Sequence, residues 1–212
     1  MIQILCVDLS SVDEELYQRL YQQASPERKA RADRYRRKED AIRCVAAEAL
    51  LRYALGTNNF HLERTPSGKP FLPERKDFHF NLSHSGNWVA IAYGSSEVGL
   101  DVENLRSDTK IEAMARRFFA PEEQRYIFAE EDGRQQRFFE IWTGKESYVK
   151  YLGTGLQKDL TSFNVLSLEP GIRIHRRVLP DGSLLSLCTR LDDYVFRLLE
   201  PQCLVDPNTP KI

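Results

Sequence analysis

Val98-Gly99-Leu100-Asp101-Val102-Glu103 is a six-residue apolar run that carries carboxylates at alternate positions. In an extended strand, side chains two apart share a face, so Asp101 and Glu103 project together while Leu100 and Val102 point the other way into a core. Two like charges that close repel unless a cation lies between them. Hard carboxylate oxygens suit magnesium, which keeps several waters and commonly shares its shell with a phosphate. The run predicts a strand that presents a metal site, and the surrounding chain is read for a third acid and for the groups that would bring the phosphate.

Upstream, 78–83, the turn Ser85-Gly86-Asn87 and 88–93 have the alternation and turn chemistry of a β-hairpin. Ser95-Ser96 turns the chain again, which predicts a three-stranded meander with His84 at one tip. Residues 2–7 read as a first strand, and Ser10, Ser11 and Asp13 offer caps for a helix through Leu16 and Leu20. Pro26 and Glu27 suit the start of a second helix. Eight cations follow, Arg28, Lys29, Arg31, Arg34, Arg36, Arg37, Lys38 and Arg43, offset only in part by Glu27, Asp33, Glu39 and Asp40. They form either a solvated helical face or a local phosphate site. An alanine-rich helix over 41–55 then ends at Gly56, and 65–70 is a turn-forming loop in which Gly68 permits positive φ.

Downstream, 104–110 is polar and reads as a linker, followed by helices over 111–118, 121–128 and 134–152. Gly153 and Gly155 close the last of these, and strands are expected near 173–178, 184–189 and 194–199, with Pro180-Asp181-Gly182 as a hairpin turn. The tail from Pro201 reads as loose. Each half runs helices first and then a strand meander, which predicts an α+β fold of two similar halves packed face to face, divided as 1–104 and 105–212.

The 212 residues suffice for a sizeable core, and a formal charge of -1 with 42% hydrophobic residues describes an ordinary globular chain whose global charge points to no partner. Cys6, Cys44, Cys188 and Cys203 are dispersed, unlike a zinc site or a disulfide framework. No basic leader and no apolar run of about 18 residues is present, so a cytoplasmic protein with reduced thiols and no membrane partner is expected.

In the 134–152 helix, Phe138, Ile141, Trp142, Val149 and Leu152 make one stripe with Lys145 near its centre and Glu146 at its edge. Charges on a core-facing side are costly unless paired or given a charged ligand. Either Lys145 and Glu146 belong to a buried ion pair, or Glu146 is the third metal acid while Lys145 and Lys150 face a polyphosphate.

Phe80-Asn-Leu-Ser-His-Ser-Gly86, Gly99-Leu-Asp-Val-Glu103 and Trp142-Thr-Gly-Lys-Glu-Ser147, in this order and spacing, resemble the 4'-phosphopantetheinyl transferases of the larger, surfactin-synthetase-activating type. The resemblance extends to Pro26-Glu-Arg28, Lys38-Glu-Asp-Ala41, Gly68-Lys-Pro70 and Gly153-Thr-Gly-Leu156 with Phe163 behind it. It implies transfer of the phosphopantetheine arm of coenzyme A to a serine of an acyl carrier protein or peptidyl carrier domain, with release of adenosine 3',5'-bisphosphate. It also implies magnesium held by Asp101, Glu103 and Glu146, the 3'-phosphate near Arg28, Arg31 and His84 with Arg43 as a further contact, Lys69 near the adenine, and Ser83 and Lys150 on the pyrophosphate. Two positions depart from the pattern: Cys44 stands where a hydroxyl residue is expected, and Gly144 lies inside the motif helix. Glu146 is the expected base, Asp101 a metal acid and Lys150 the group that stabilises the leaving phosphate. The expected protein is a monomer whose carrier docks near Arg116, Arg117, Phe118 and Phe119.

A serine hydrolase is disfavoured because Ser83 and His84 point apart on a strand and no G-x-S-x-G elbow exists. His79 and His84 make an unconvincing zinc pair. The rival from another class is a non-catalytic coenzyme A or nucleic-acid binder using the Arg28 to Arg43 helices. Interspersed acids and the lack of stacking aromatics weigh against nucleic acid.

Overall fold

The computed structural model describes residues 1–106, 109–155 and 158–206. β1 (Ile2–Asp8) is apolar on both faces because both are covered. It pairs antiparallel with β5 (Trp88–Gly94) and parallel with β9 (Tyr194–Leu199), and β5 pairs in turn with β4 (His79–Ser85). Leu5 and Val7 face a core built with α1 (Glu14–Gln23) and α3 (Lys38–Leu55). Ile2, Ile4 and Cys6 face the opposite way, into a second core shared with Leu100, Val102, Leu185 and Leu187. Those four residues belong to β6 (Val98–Glu103) and β8 (Leu184–Thr189), which form a second sheet with β7 (Arg173–Val178) in the order β6-β8-β7. Beyond it lie α4 (Ile111–Phe118), α5 (Pro121–Ile127) and α6 (Arg134–Leu152), packed through Ala115, Ile127, Phe138 and Ile141 with Leu184 of β8. The fold is α+β.

Helix boundaries follow local chemistry. Asp13 caps α1 by accepting from the Leu16 amide (2.8 Å), and Ser25 caps α2 (Pro26–Ala32) by accepting from Arg28 N–H. Gly56 and Gly153 end α3 and α6 in the left-handed conformation that side chains disfavour.

The expected meanders are not what forms. β6 leaves the β4–β5 hairpin to pair with β8, and β9 leaves the β7–β8 hairpin to pair with β1. Both sheets therefore draw strands from either side of residue 104. The first exchange buries Leu100 and Val102 in the core between the sheets, and the second packs the partly buried Tyr194 and Phe196 against it. The tail also differs from expectation: Pro201–Leu204 forms a short 3-10 turn with Pro201, Leu204 and Val205 buried against α3, while 207–212 lie outside the described residues.

Candidate active site

Although β6 is not hydrogen-bonded to β4 by backbone, β4 side chains meet its free edge in register. The amides of Leu100, Val102 and Asn104 donate to Asn81 Oδ1 (2.8 Å), Ser83 Oγ (3.2 Å) and Ser85 Oγ (3.3 Å). The same hydroxyls reach the acids: Ser83 donates to Asp101 Oδ1 (3.1 Å) and Ser85 to Glu103 Oε2 (2.6 Å). Asn81 and Ser85 were not singled out from sequence. Their signal is the polar alternation 81, 83, 85, which matches the alternation of the β6 acids.

Asp101 and Glu103 face α6, opposite the apolar face of β6. Gly99 makes this possible. A Cβ there would lie 1.9 Å from the Ser147 carbonyl oxygen and 2.3 Å from the Tyr151 amide nitrogen. Lys150 consequently reaches Asp101 Oδ1 (2.6 Å) and Ser83 Oγ (3.0 Å). The second Asp101 oxygen is buried without a hydrogen-bond partner. Desolvation pushes the Asp101 pKa up to about 6, against the pull of Lys150 and with further repulsion from Glu103 and Glu146. Burial likewise raises Glu146, opposed by Lys150 and aided by Glu103. Each acid thus lies within the field of another. Among the described residues no three metal-binding side chains already stand as a ligand cluster. The all-oxygen donors, the orphaned Asp101 oxygen and the destabilised negative charge nonetheless fit a hard divalent cation.

Glu146 and Lys150 line a cavity of about 550 Å³ that residues 67–70 also line. Arg117 and Phe118 separate it from a second cavity of about 500 Å³ onto which Glu103 opens. His84 is exposed, yet the protein packed around it removes enough hydration to lower its pKa, and repulsion from Arg43, Lys150 and Arg31 lowers it further. Arg31, Arg43 and Lys150 all act on His84, but Arg43 is paired with Asp40 and donates to the Gly86 carbonyl, and Lys150 is paired with Asp101, so an anion there would compete with these carboxylates.

Other expected residues are engaged elsewhere. Lys145 is fully buried and paired with Glu123 (2.8 Å), and it donates to the carbonyls of Leu160 and Phe163 (2.7 Å each). This is the buried ion pair with a different acid, and it leaves no ammonium for a polyphosphate. Arg28 turns toward Glu48 (3.3 Å) and lies 3.9 Å from Cys44 Sγ. Lys69 donates to Glu97 (2.8 Å) and to the carbonyls of Val98 (3.3 Å) and Tyr151 (3.4 Å), so its three hydrogens have acceptors other than an adenine. Phe119 belongs to the core, with 1% exposure, and cannot meet a carrier, whereas Arg117 stacks over Phe118 at 5.0 Å. Leu156 of the Gly153-Thr-Gly-Leu156 motif lies outside the described residues.

Residues 97–198 match the family model of the 4'-phosphopantetheinyl transferase superfamily, and 11–96 match that of the 4'-phosphopantetheinyl transferase N-terminal region. The chain is 34% identical over 181 residues to 4'-phosphopantetheinyl transferase psf-1 of Bacillus pumilus, covering 80% of this chain and 77% of that protein. The chain belongs to the 4'-phosphopantetheinyl transferases. A 4'-phosphopantetheinyl transferase of Bacillus subtilis is 35% identical over 172 residues, covering 77% of this chain and 75% of its own. The enzyme Sfp of Bacillus subtilis strain 168 is 35% identical over 148 residues, covering 66% and 65%. This transferase is therefore of the Sfp type. No helix among its described residues is long and apolar enough to cross a membrane.

Proposed function

We propose that this transferase moves the 4'-phosphopantetheine group of coenzyme A to a serine hydroxyl of an acyl carrier protein or peptidyl carrier domain. The observation that carries the reading is Lys150, held between Asp101 and Ser83 at the edge of a cavity that Glu146 also lines. An ammonium paired with a desolvated acid in the free protein is available to a phosphate once another cation neutralises that acid. Asp101, Glu103 and Glu146 would hold magnesium, which supplies charge neutralisation at the pyrophosphate.

The carrier serine Oγ forms a bond to the phosphorus that bears the pantetheine, and the bond from that phosphorus to the bridging oxygen breaks. Adenosine 3',5'-bisphosphate leaves with the electron pair. Glu146, which lines the cavity beside Lys150, receives the serine proton. Lys150 and Ser83 donate to the pyrophosphate oxygens, and Arg31, Arg43 and His84 accept the 3'-phosphate, with Arg28 reaching it by leaving Glu48. Arg117 and Phe118 at the cavity edge face the carrier. The non-catalytic binder is disfavoured by family membership together with the intact acids.

The two halves are read as 1–104 and 105–212, similar α/β units packed face to face that exchange β6 and β9 between their sheets. The apolar core between the two sheets supports the face-to-face packing of the sheets rather than the boundary at 104. A cytoplasmic monomer is the companion reading, and the four free thiols support its reducing compartment alone.

The test is intact-mass analysis of apo acyl carrier protein and of an apo peptidyl carrier domain, each incubated with enzyme and coenzyme A, with magnesium or with EDTA. A metal-dependent gain of one phosphopantetheinyl group is expected. Glu146→Gln is expected to lose on the order of 10²-fold or more in rate. Near-normal turnover of that variant would reject the base assignment, and a gain insensitive to EDTA would reject the metal.

A further inference from the structure

We infer that Ser85 is a positioning residue that sets the Glu103 carboxylate for the metal, braced by Asn104 and Asp181 from the turn between β7 and β8. This inference rests on the reading that Glu103 is one of the acids that hold magnesium.

Glu103 is the last residue of β6, and its side chain is 21% exposed. A carboxylate at a strand end, open to the second cavity, keeps its rotational freedom unless something holds it. Arg106 lies 4.0 Å from Glu103 Oε2, but its own side chain is 66% exposed, and an exposed pair of that kind fixes little. Ser85 is placed differently. Its hydroxyl donates to Glu103 Oε2 at 2.6 Å, the length of a charge-assisted bond. The direction of that hydrogen is set, because the Asn104 amide occupies a lone pair of the same hydroxyl oxygen (3.3 Å). One hydrogen on Oε2 leaves Oε1 and a further lone pair on Oε2 for a cation, so the bond orients the acid without consuming it. Asp101 is held by Ser83 and Lys150 together, whereas the short bond to Glu103 comes from Ser85.

The brace reaches this hydroxyl through residue 104. Asn104 Nδ2 donates to Ser183 Oγ (3.1 Å) and to Asp181 Oδ2 (3.4 Å). Asp181 is fixed in turn by the Ser183 amide on Oδ1 and the Ser183 hydroxyl on Oδ2, at 2.9 Å each. Asn104 also packs on the β4–β5 turn, where a Cβ on Gly86 would lie 3.2 Å from the Asn104 Cβ. The turns of two hairpins therefore meet at Asn104, whose backbone amide carries their hold to Ser85.

The experiment compares Ser85→Ala, Ser85→Thr, Asn104→Ala and Glu103→Ala in the full-length enzyme with coenzyme A bound. Manganese titration, followed by the electron paramagnetic resonance of the free ion, reads metal affinity without turnover. Carrier modification by mass gives the magnesium dependence, kcat and the KM for coenzyme A. Ser85→Ala is expected to weaken manganese binding by about 10- to 100-fold, as loss of a partner that orients a metal ligand does. Half-saturating magnesium should rise by the same factor, while excess magnesium returns kcat to within about threefold and the KM for coenzyme A changes less than about threefold. Ser85→Thr keeps the hydroxyl and should bind manganese within about threefold of the parent. Asn104→Ala keeps the backbone amide and loses the brace, so a weakening of about three- to tenfold is expected.

Unchanged manganese binding in Ser85→Ala, with binding lost in Glu103→Ala, would overturn the positioning role and leave the metal reading intact. Unchanged binding in Glu103→Ala would reject the metal reading and the inference with it. A KM for coenzyme A raised tenfold at unchanged manganese affinity would place Ser85 on the nucleotide instead. Should Ser85→Ala fail to fold, Asn104→Ala decides, and a parental manganese affinity in that variant overturns the inference.

Discussion

Gly99→Ala is expected to separate folding from catalysis. The added Cβ would lie 1.9 Å from the Ser147 carbonyl oxygen, 2.3 Å from the Tyr151 nitrogen and 2.8 Å from the Tyr151 Cα, all of them backbone atoms of α6. Backbone has no rotamer to give way, so the helix must retreat from β6. Ordinary contact begins at 3.4 Å, and the retreat along the shortest approach is about 1.5 Å. Small-to-large changes in packed interiors cost roughly 1–3 kcal/mol, which an enzyme of this size survives as a folded protein. Activity tolerates far less, because a 1 Å misplacement costs about 10²-fold, and here the moving element carries both Glu146 and Lys150 away from Asp101. Expected together are a rate of carrier modification lower by 10²-fold or more and a melting temperature lower by roughly 2–12 °C. Parallel mass assays and thermal melts measure both. A variant that transfers within threefold of the parent would refute the claim that close β6–α6 approach builds the site.

Asp101→Asn tests the desolvated acid. A carboxyl whose pKa rises from 3.8 unfolded to about 6 folded keeps its proton longer in the native state, so stability falls as pH climbs from about 4 to 6, and the cost is complete above 6. The difference converts to about 3 kcal/mol. In EDTA the variant should be the more stable protein at pH 7.5 and equal to the parent near pH 3.5, while losing transfer. Urea unfolding at both pH values decides, and a parent that is more stable at pH 7.5 contradicts it. Lys145→Met leaves the Glu123 carboxylate and two carbonyls without their buried cation and should cost about 3–5 kcal/mol; a cost below 1 kcal/mol by denaturant titration would show that the pair is dispensable. Gly144→Ala places a methyl 3.4–3.6 Å from Arg176, Val165 and Ile174, ordinary contact distances, inside a helix where glycine costs about 1 kcal/mol. Its melting temperature should rise by about 2–4 °C, and a fall would reveal a packing role for the bare backbone.

The sequence read alone located the elements well because their signals are local. Asp13, Gly56 and Gly153 end helices through bonds and dihedrals made within a few residues, and the β4–β5 hairpin follows from Gly86-Asn87 between two alternating runs. The side on which Asp101 and Glu103 lie was legible for the same reason, since a strand of period two leaves no other choice. Glu146 was joined to them by the family motif alone, and the structure shows it within the field of Glu103.

What the sequence did not determine is long-range pairing. Nothing local tells β6 to pair with β8 rather than remain beside β5, or β9 to join β1, because an apolar strand face reads identically whichever sheet buries it. Nor does the pattern around Lys145 reveal that Glu123, 22 positions earlier, is its partner, or that Lys69 is saturated by the ends of β6 and α6. A charge near the centre of an apolar stripe announces only that some partner must exist. Its identity depends on which backbone comes close in space, as it does at Gly99, whose missing side chain lets α6 lie directly on β6 and brings Lys150 to Asp101.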